Sequence, residues 1–225
     1  YGRSDRKDQP RVPITAKLIC EMMEVAGADR YITMDLHAGQ IQGFFSIPGD
    51  VLSGYHIIKP YLAERLPELT NPVILTADLG FAKHGRRYAM GLNIPLSFIE
   101  KRRIDNQDHT EALNLIGDVK HRDVILIDDE VDTGGSICEA VETAKLNGAR
   151  DVYVAFIHPV LSSNAVKRLA ALPVKRFITT NTIPLNESQK ATLGDRLTVL
   201  SIGPLLGEVI KRTNQSTSVG VMFNE

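Results

Sequence analysis

The sequence of 225 residues is 43% hydrophobic, which is enough to fill the core of one large domain or two modest ones. Its 26 basic and 27 acidic residues give a net charge of −1, so nothing in the overall charge indicates a nucleic-acid or membrane-surface partner. We find no signal peptide and no long apolar span, and we therefore expect a cytoplasmic protein that binds neither nucleic acid nor membrane.

The beginning of the chain predicts a charged arm followed by one helix. Composition alone favours a solvated surface arm for residues 1–11. Pro13 suits the first position of a helix that runs to Val25 and is closed by Gly27.

A short strand is predicted for residues 30–34, and Asp35 and His37 follow it directly. Ligands of parallel sheets bind at the carboxyl ends of the strands, which makes His37 a candidate contact for a metal ion or a phosphate. The alternative is a histidine with a purely structural role.

Residues 40–45 predict a short helix or turn, and the break at residues 47–50 indicates a domain boundary near residue 51. Helices and strands alternate beyond it, which predicts an α/β fold with a parallel sheet. The predicted strands are 73–76, 96–99, 112–116, 124–127, 151–157, 175–180 and 197–201. The predicted helices are 55–66, a segment that carries Lys83, Arg86 and Arg87 and breaks near Asn93, a segment ending at about Asn147, 162–171 and 203–212. The tail 218–223 predicts a short strand that pairs elsewhere.

Residues 100–109 form the most polar run in the interior of the chain and have no apolar period, so we predict a mobile loop there. A basic surface linker is the alternative. Because the run leaves the end of a predicted strand, Lys101 and Arg103 could close over a polyphosphate, exclude water and neutralise developing charge.

The two cysteines, Cys20 and Cys138, both fall within predicted helices next to apolar positions. We expect each to be a buried free thiol rather than part of a disulfide. Free thiols fit a reducing compartment.

Acidic side chains recur at the ends of predicted strands. Asp78 follows the strand 73–76, and Asp128 and Asp129 follow the continuously apolar run 124–127, which is typical of a strand buried on both faces. Carboxylates in this position suit a divalent cation or the hydroxyl groups of a sugar.

Thr133-Gly134-Gly135-Ser136 comes next and opens a helix. Successive backbone N–H groups can turn toward one point at a helix N-terminus, which makes this segment a candidate phosphate site. The alternative is an acidic N-capping turn without a ligand.

With these residues in view, the sequence resembles the ribose-phosphate pyrophosphokinase family, also called phosphoribosyl pyrophosphate synthetases. Residues 128–136 are similar to the ribose-5-phosphate loop of the family, with Ser136 where threonine is usual. Residues 99–103 are similar to the start of its catalytic flexible loop. Further similar stretches are 34–37, 40–45, Arg3, 5–7, 13–14 and 16–17.

The resemblance implies an α/β fold of two phosphoribosyltransferase-like domains with parallel central sheets, the first of them incomplete here. Residues 1–51 would be the C-terminal part of the first domain, residues 52–213 the second domain, and residues 214–225 a tail that returns to the first. The family normally has roughly a further domain's worth of chain before Tyr1, so we expect an N-terminally truncated member. It also implies a homo-oligomer, a hexamer or a dimer.

The resemblance implies transfer of pyrophosphate from MgATP to the C1 hydroxyl of ribose 5-phosphate, with Mg²⁺ as cofactor. Lys101 and Arg103 would be catalytic. The residues implied in ATP binding are Arg3, Asp5 and His37, and the residues implied in metal binding are His37 and Asp78. The residues implied in ribose 5-phosphate binding are Asp128, Asp129, Asp132, Thr133, Gly134, Gly135 and Ser136.

Two positions depart from the family pattern. Ser4 stands where glutamine is usual at the ATP site, and Phe81 replaces part of a more glycine-rich loop, where its side chain would crowd a close backbone approach. A non-catalytic or regulatory relative that binds sugar phosphate is therefore the first alternative, and a phosphoribosyltransferase is the second.

Overall fold

The computed structural model describes the backbone of residues 1–7, 10–103 and 111–222, and their side chains except those of residues 101–103 and 111–113. The chain divides into two compact units, Tyr1–Gly54 and Tyr55–Glu225. This division lies close to the boundary expected near residue 51. The assignment of residues 1–51, 52–213 and 214–225 to two domains and a returning tail stays a prediction.

The first unit contains one helix and a pair of parallel strands. Its elements are α1 (Thr15–Val25), β1 (Tyr31–Met34), a 3-10 helix (Gly39–Phe44) and β2 (Gly49–Leu52). Buried Ala16 and Cys20 on α1 pack against Ile41 of the 3-10 helix and form a small core. The predicted helix and first strand are therefore confirmed within two residues at each end.

The sequence failed to predict β2, because residues 47–50 read as a simple break. Gly49 pairs with Tyr31 at the start of a parallel ladder that runs to the end of both strands. A Cβ atom at Gly49 would lie 2.2 Å from the Tyr31 ring, so the glycine that reads as a breaker is what lets the two strands approach.

The second unit is a seven-stranded sheet with helices. The helices are α2 (Tyr55–Arg65), α3 (Ala82–Leu92), α4 (Gly135–Leu146), α5 (Ala165–Ala171), α6 (Glu187–Leu193) and α7 (Gly203–Asn214). The strands are β3 (Val73–Thr76), β4 (Leu96–Arg103), β5 (Glu111–Ile116), β6 (Val124–Glu130), β7 (Val152–His158), β8 (Arg176–Thr180) and β9 (Leu197–Leu200). Short 3-10 helices lie at Leu66–Glu68, Gly194–Arg196 and Gly220–Met222.

The strand order is β5-β4-β3-β6-β7-β8-β9, and neighbouring strands are parallel except β4 and β5. The predicted α/β architecture with a parallel sheet is thus confirmed. The chain leaves β3 toward one edge, returns to β6 beside β3, and then continues toward the other edge. The carboxyl ends of β3 and β6 therefore flank a topological switch point, where open α/β sheets bind ligands.

The predicted mobile loop at residues 100–109 is wrong for its first part. Residues 100–103 complete β4, which pairs antiparallel with β5 from Phe98 opposite Ile116 to Arg103 opposite Glu111. Backbone pairing with a second strand does not require an apolar period, so the polar composition concealed this strand. Residues 104–109 lie outside the described part of the chain.

The end of the chain also differs from the prediction. The segment 218–223 was predicted as a strand, but Gly220–Met222 is a 3-10 helix and Val219 is buried. The Val219 carbonyl accepts from the Met222 N–H at 3.0 Å, so local turn bonds satisfy this backbone; Phe223 is not among the described residues. The sequence also failed to predict α6, which begins with a capping box between Asn186 and Gln189.

Cys20 and Cys138 are both free, as predicted, although only Cys20 is fully buried. Burial raises the pKa of both thiols, so each stays protonated at neutral pH. None of the helices in the described ranges is long and apolar enough to cross a membrane.

Candidate functional site

The central strand β6 carries two acids to the carboxyl edge of the sheet. Residues 124–127 are at most 1% exposed, and Asp128 and Asp129 follow them within β6, which stays paired with β7 as far as Glu130. Asp128 Oδ1 accepts from the Asp129 N–H at 3.0 Å, and Asp129 Oδ1 accepts from the Glu130 N–H at 2.8 Å. The strand therefore holds both carboxylates in fixed positions at the switch point.

Asp78 joins these acids from the neighbouring strand. It lies two residues beyond Thr76, which pairs with Ile127 in the parallel ladder of β3 and β6. Its carboxylate accepts from the Phe81 N–H at 2.9 Å. Burial, and then the charges of Asp129 and Asp78, raise the pKa of Asp128 well above its ordinary value. A cation or several hydroxyl donors would relieve this repulsion.

The segment 133–136 forms the N-terminus of α4. Gly134 has a φ of 79°, in the left-handed region that favours glycine, and the helix starts at Gly135. No side chain in the described part of the chain caps this end, and the first turn contains no acid. The alternative of an acidic capping turn is therefore wrong, and the first-turn N–H groups are available to an anion.

Asp132 stabilises this loop through two hydrogen bonds with Ser162. The Ser162 hydroxyl donates to the Asp132 carboxylate, and the Ser162 N–H donates to the Asp132 carbonyl at 3.0 Å. The Arg168 guanidinium donates to the Thr133 carbonyl at 3.4 Å, which places a cation beside the loop. The sequence did not reveal Ser162 or Arg168, because Ser162 in the β7–α5 connection and Arg168 on α5 reach the loop only through tertiary packing.

Hydroxyl and amide side chains lie at the end of β8, where they could contact a sugar or a phosphate or stabilise a local turn. Thr180 and Thr182 both donate to the Ile157 carbonyl, at 2.8 and 3.1 Å. The Asn181 carboxamide accepts from the Ile202 N–H at 2.8 Å. These contacts favour the local structural role.

The first unit holds the three residues implied in ATP binding. Composition favoured a solvated arm, but the Ser4 carbonyl accepts from the Ala16 N–H at 3.2 Å, and the Asp5 carboxylate accepts from the Gln40 side chain. The start of the arm is thus attached to α1 and to the 3-10 helix. Arg3 and His37 are exposed.

Asp35, two residues before His37, has a structural role. Its φ of 35° is unusual for a residue with a side chain. Its carboxylate accepts from the Ser53 hydroxyl at 3.0 Å and from the Gly54 N–H. These contacts hold the turn after β2, so Asp35 is already engaged within its own unit.

Lys101 and Arg103 lie in β4, directly beside β3. The ladder of β3 and β4 places Thr76 opposite Phe98, so Lys101 follows at the same carboxyl edge that carries Asp78. Among the described residues, no group of three or more His, Cys, Asp or Glu side chains is arranged to hold a metal ion.

Comparison with known proteins identifies the family to which this chain belongs. A family model described as the phosphoribosyl synthetase-associated domain matches residues 103–224. The ribose-phosphate pyrophosphokinase of Helicobacter pylori (strain 26695) is 44% identical over 223 residues, which cover 99% of this chain and 68% of that protein. This chain belongs to the ribose-phosphate pyrophosphokinase family. The enzymes of this family are transferases, and the resemblance inferred from the motifs is confirmed.

Other relatives agree with this assignment. The ribose-phosphate pyrophosphokinase of Clostridium acetobutylicum is 40% identical over 225 residues, which cover all of this chain and 69% of that protein. The crystal structure of phosphoribosylpyrophosphate synthetase from Mycobacterium smegmatis superposes with a TM-score of 0.87 and 38% identity, over 96% of this chain and 69% of that one. The predicted fold class is confirmed, and the chain spans 68–69% of the length of these relatives.

Proposed function

We propose that the protein transfers the β,γ-pyrophosphate of MgATP to the C1 hydroxyl of ribose 5-phosphate, giving phosphoribosyl pyrophosphate and AMP. The observation that carries the proposal is the meeting of Asp78, Asp128 and Asp129 with the uncapped N-terminus of α4 at the switch point of the sheet. A phosphorylated sugar needs carboxylates that accept from its hydroxyl groups, next to backbone N–H groups that bind its phosphate.

The acceptor sugar would bind at the ends of β6 and α4. Its 5-phosphate would accept hydrogen bonds from the backbone and hydroxyl groups of residues 133–136, with the positive end of the helix dipole below it. The ribose hydroxyls would donate to Asp128 and Asp129, whose carboxylate oxygens all accept when the groups are ionised. Asp132 would contribute by keeping the loop in shape, since its carboxylate binds Ser162.

The reaction needs positioning more than a protein nucleophile. The C1 hydroxyl oxygen attacks the β-phosphorus, the bond from that phosphorus to the α-phosphate oxygen breaks, AMP leaves, and the hydroxyl proton goes to solvent. Lys101 and Arg103 would neutralise charge on the transferring group from the end of β4. In the proposed ATP site, Arg3 and Asp5 would orient the nucleotide with His37.

The proposed cofactor is Mg²⁺, and the donor set fits it. Mg²⁺ prefers oxygen ligands and is usually held by one or two protein side chains together with phosphate oxygens. His37 would hold a Mg²⁺ ion on ATP, and Asp78 would hold a second ion on the sugar side, where the repulsion between Asp78 and Asp128 gives a cation a favourable place. When bound, the ion would neutralise phosphate charge.

The proposal is tested by incubating the protein with ATP, ribose 5-phosphate and MgCl₂ and by measuring AMP and phosphoribosyl pyrophosphate. We expect equal amounts of both products, and we expect Lys101→Ala to reduce turnover at least about 100-fold while ribose 5-phosphate binding stays unchanged. No AMP above background, beside an active control enzyme from a 44% identical relative, would overturn the proposal.

A non-catalytic relative that binds sugar phosphate is the second candidate, and Ser4 and Phe81 favour it. The Phe81 ring stacks on His84 with centroids 4.8 Å apart, so it packs along the first turn of α3. Ribose 5-phosphate binding without AMP formation would identify this function. A phosphoribosyltransferase is disfavoured by the family assignment. We further propose a cytoplasmic homo-oligomer, either a hexamer or a dimer.

A further inference from the structure

The second unit contains a cavity of about 280 Å³ at the amino ends of its strands. Residues 133–136, the proposed phosphate loop, follow the carboxyl end of β6. Ile125, Tyr153 and Arg176, which contribute to its wall, are the first or second residues of β6, β7 and β8. Asp128 follows Ile125 by three residues and Glu130 follows it by five, so at about 3.3 Å per residue these acids lie about 10 and about 16 Å from Ile125 along β6. The cavity is therefore separate from the proposed active site.

The floor of the cavity is apolar and its sides are aromatic. Leu62, Ile125 and Ile178 are at most 4% exposed and form the floor. Tyr61 and Tyr153 contribute rings to the walls. Burial raises the pKa of Tyr153, so its hydroxyl is a neutral hydrogen-bond donor at pH 7. This lining suits a small ring rather than a fully polar solute.

Three cations and one acid line the same cavity. Arg65 lies with its guanidinium carbon 3.9 Å from the centre of the Tyr61 ring, and Arg176 donates to the Thr198 hydroxyl at 3.1 Å. Lys175 binds Asp151 at 2.9 Å, and Glu68 is the lining acid. A guanidinium has five N–H donors, so each arginine can bind an anion while it keeps these contacts.

We propose that this cavity, which we call the amino-edge cavity, binds a small ligand made of an aromatic ring with one anionic group, a phosphate or a carboxylate. The ring would lie on the apolar floor between the two tyrosines, and the anion would bind Arg65 and Arg176. Pockets that hold drug-sized ligands have volumes of at least about 300 Å³. The volume of this cavity is slightly smaller and therefore fits a ligand with a single ring.

The test is calorimetric titration of the protein with phenyl phosphate and, separately, with benzoate, in the presence of saturating ribose 5-phosphate to occupy the phosphate loop. We expect submillimolar binding of at least one probe, and at least tenfold weaker binding of phenol and inorganic phosphate. Binding of neither probe, or equally tight binding of inorganic phosphate, would overturn the proposal. The probe that binds identifies the preferred anion.

Variants locate the bound probe. Arg65→Gln and Arg176→Gln should each weaken binding at least fivefold, because each removes a guanidinium that binds the anion without changing the floor of the cavity. Lys190→Gln is the matched control, since Lys190 pairs with Glu187 on exposed α6, and it should leave binding unchanged. Binding that none of the cavity variants changes, or that ribose 5-phosphate abolishes, would contradict the site. Circular dichroism establishes that each variant is folded.

Discussion

Arg150 Nε donates a hydrogen bond of 2.7 Å to Asp123 Oδ1, and a second guanidinium nitrogen binds the other carboxylate oxygen. The Asp123 side chain is completely buried, whereas 44% of the Arg150 side chain is exposed. The Thr70 N–H donates to the same carboxylate at 2.8 Å, and the Asp123 carbonyl accepts from the Val73 N–H at 3.0 Å. Asp123 therefore joins the amino end of β6 to that of β3 through Thr70 and Val73, and to the start of β7 through Arg150.

This ion pair predicts acid sensitivity. Burial disfavours the charged Asp123 carboxylate, but the hydrogen bonds from Arg150 and Thr70 outweigh it, so the pKa of Asp123 lies below its ordinary value. Stability from a lowered pKa is present above the unfolded-state value of about 3.9 and is lost as the pH falls through the folded-state value. Asp123→Asn should therefore reduce the difference in unfolding free energy between pH 7 and pH 3, measured in urea.

Arg150→Ala should lower the free energy of unfolding at pH 7 by about 2 kcal/mol, because it leaves a buried carboxylate with fewer donors. Glu187→Gln changes an exposed carboxylate on α6 and should stay within about 0.5 kcal/mol. If Arg150→Ala lowered the free energy of unfolding as little as Glu187→Gln does, the stabilising role of the Asp123–Arg150 pair would be contradicted.

Asp128→Asn should stabilise the protein at pH 7 and weaken ribose 5-phosphate binding. Burial and neighbouring acids raise the pKa of Asp128 in the folded protein. The free energy of unfolding therefore falls as the pH rises from the ordinary pKa of an aspartate toward this raised pKa. Asparagine removes this cost but also removes a charged acceptor for a sugar hydroxyl, and binding should fall at least about tenfold. Thermal unfolding and titration with ribose 5-phosphate measure the two effects. Unchanged binding would contradict the sugar role of Asp128.

Ser162→Ala should weaken ribose 5-phosphate binding about threefold to tenfold by loosening Asp132, at a cost of about 1 kcal/mol or less in folding. Ser188→Ala on exposed α6 is the control for removal of a hydroxyl far from the loop. Equal effects of the two substitutions on binding would show that the contact between Ser162 and Asp132 does not shape the loop.

Gly134→Ala should destabilise the protein by about 1–2 kcal/mol and disrupt the phosphate cradle, because alanine is strained at a φ of 79°. A Cβ atom at Gly134 would meet neighbours only at 3.8 Å, so backbone strain rather than a clash is the cause. Gly207→Ala is the matched control, since this glycine lies within α7 with nothing near its Cβ position. That substitution should stabilise the helix by up to about 1 kcal/mol.

Local sequence signals were reliable where one segment contains the whole pattern. The apolar run 124–127, its following acids and the glycine-containing loop predicted a buried strand, a turn and a helix, and all three are present. The same signals failed for residues 49–52 and 100–103, where pairing with a distant strand decides the conformation. The capping box of α6 was visible in the sequence and was overlooked.

The sequence by itself determined the α/β class, the family, and the strand, turn and helix start at residues 124–136, because these depend on the order of residues within short segments. Only the tertiary structure decided that Asp78 lies near Asp128, that Ser162 donates to Asp132, and that a cavity lined by cations lies at the amino ends of the strands. These relationships depend on strand order. Strand order is set by packing between segments far apart in the chain, which no local pattern of residues encodes.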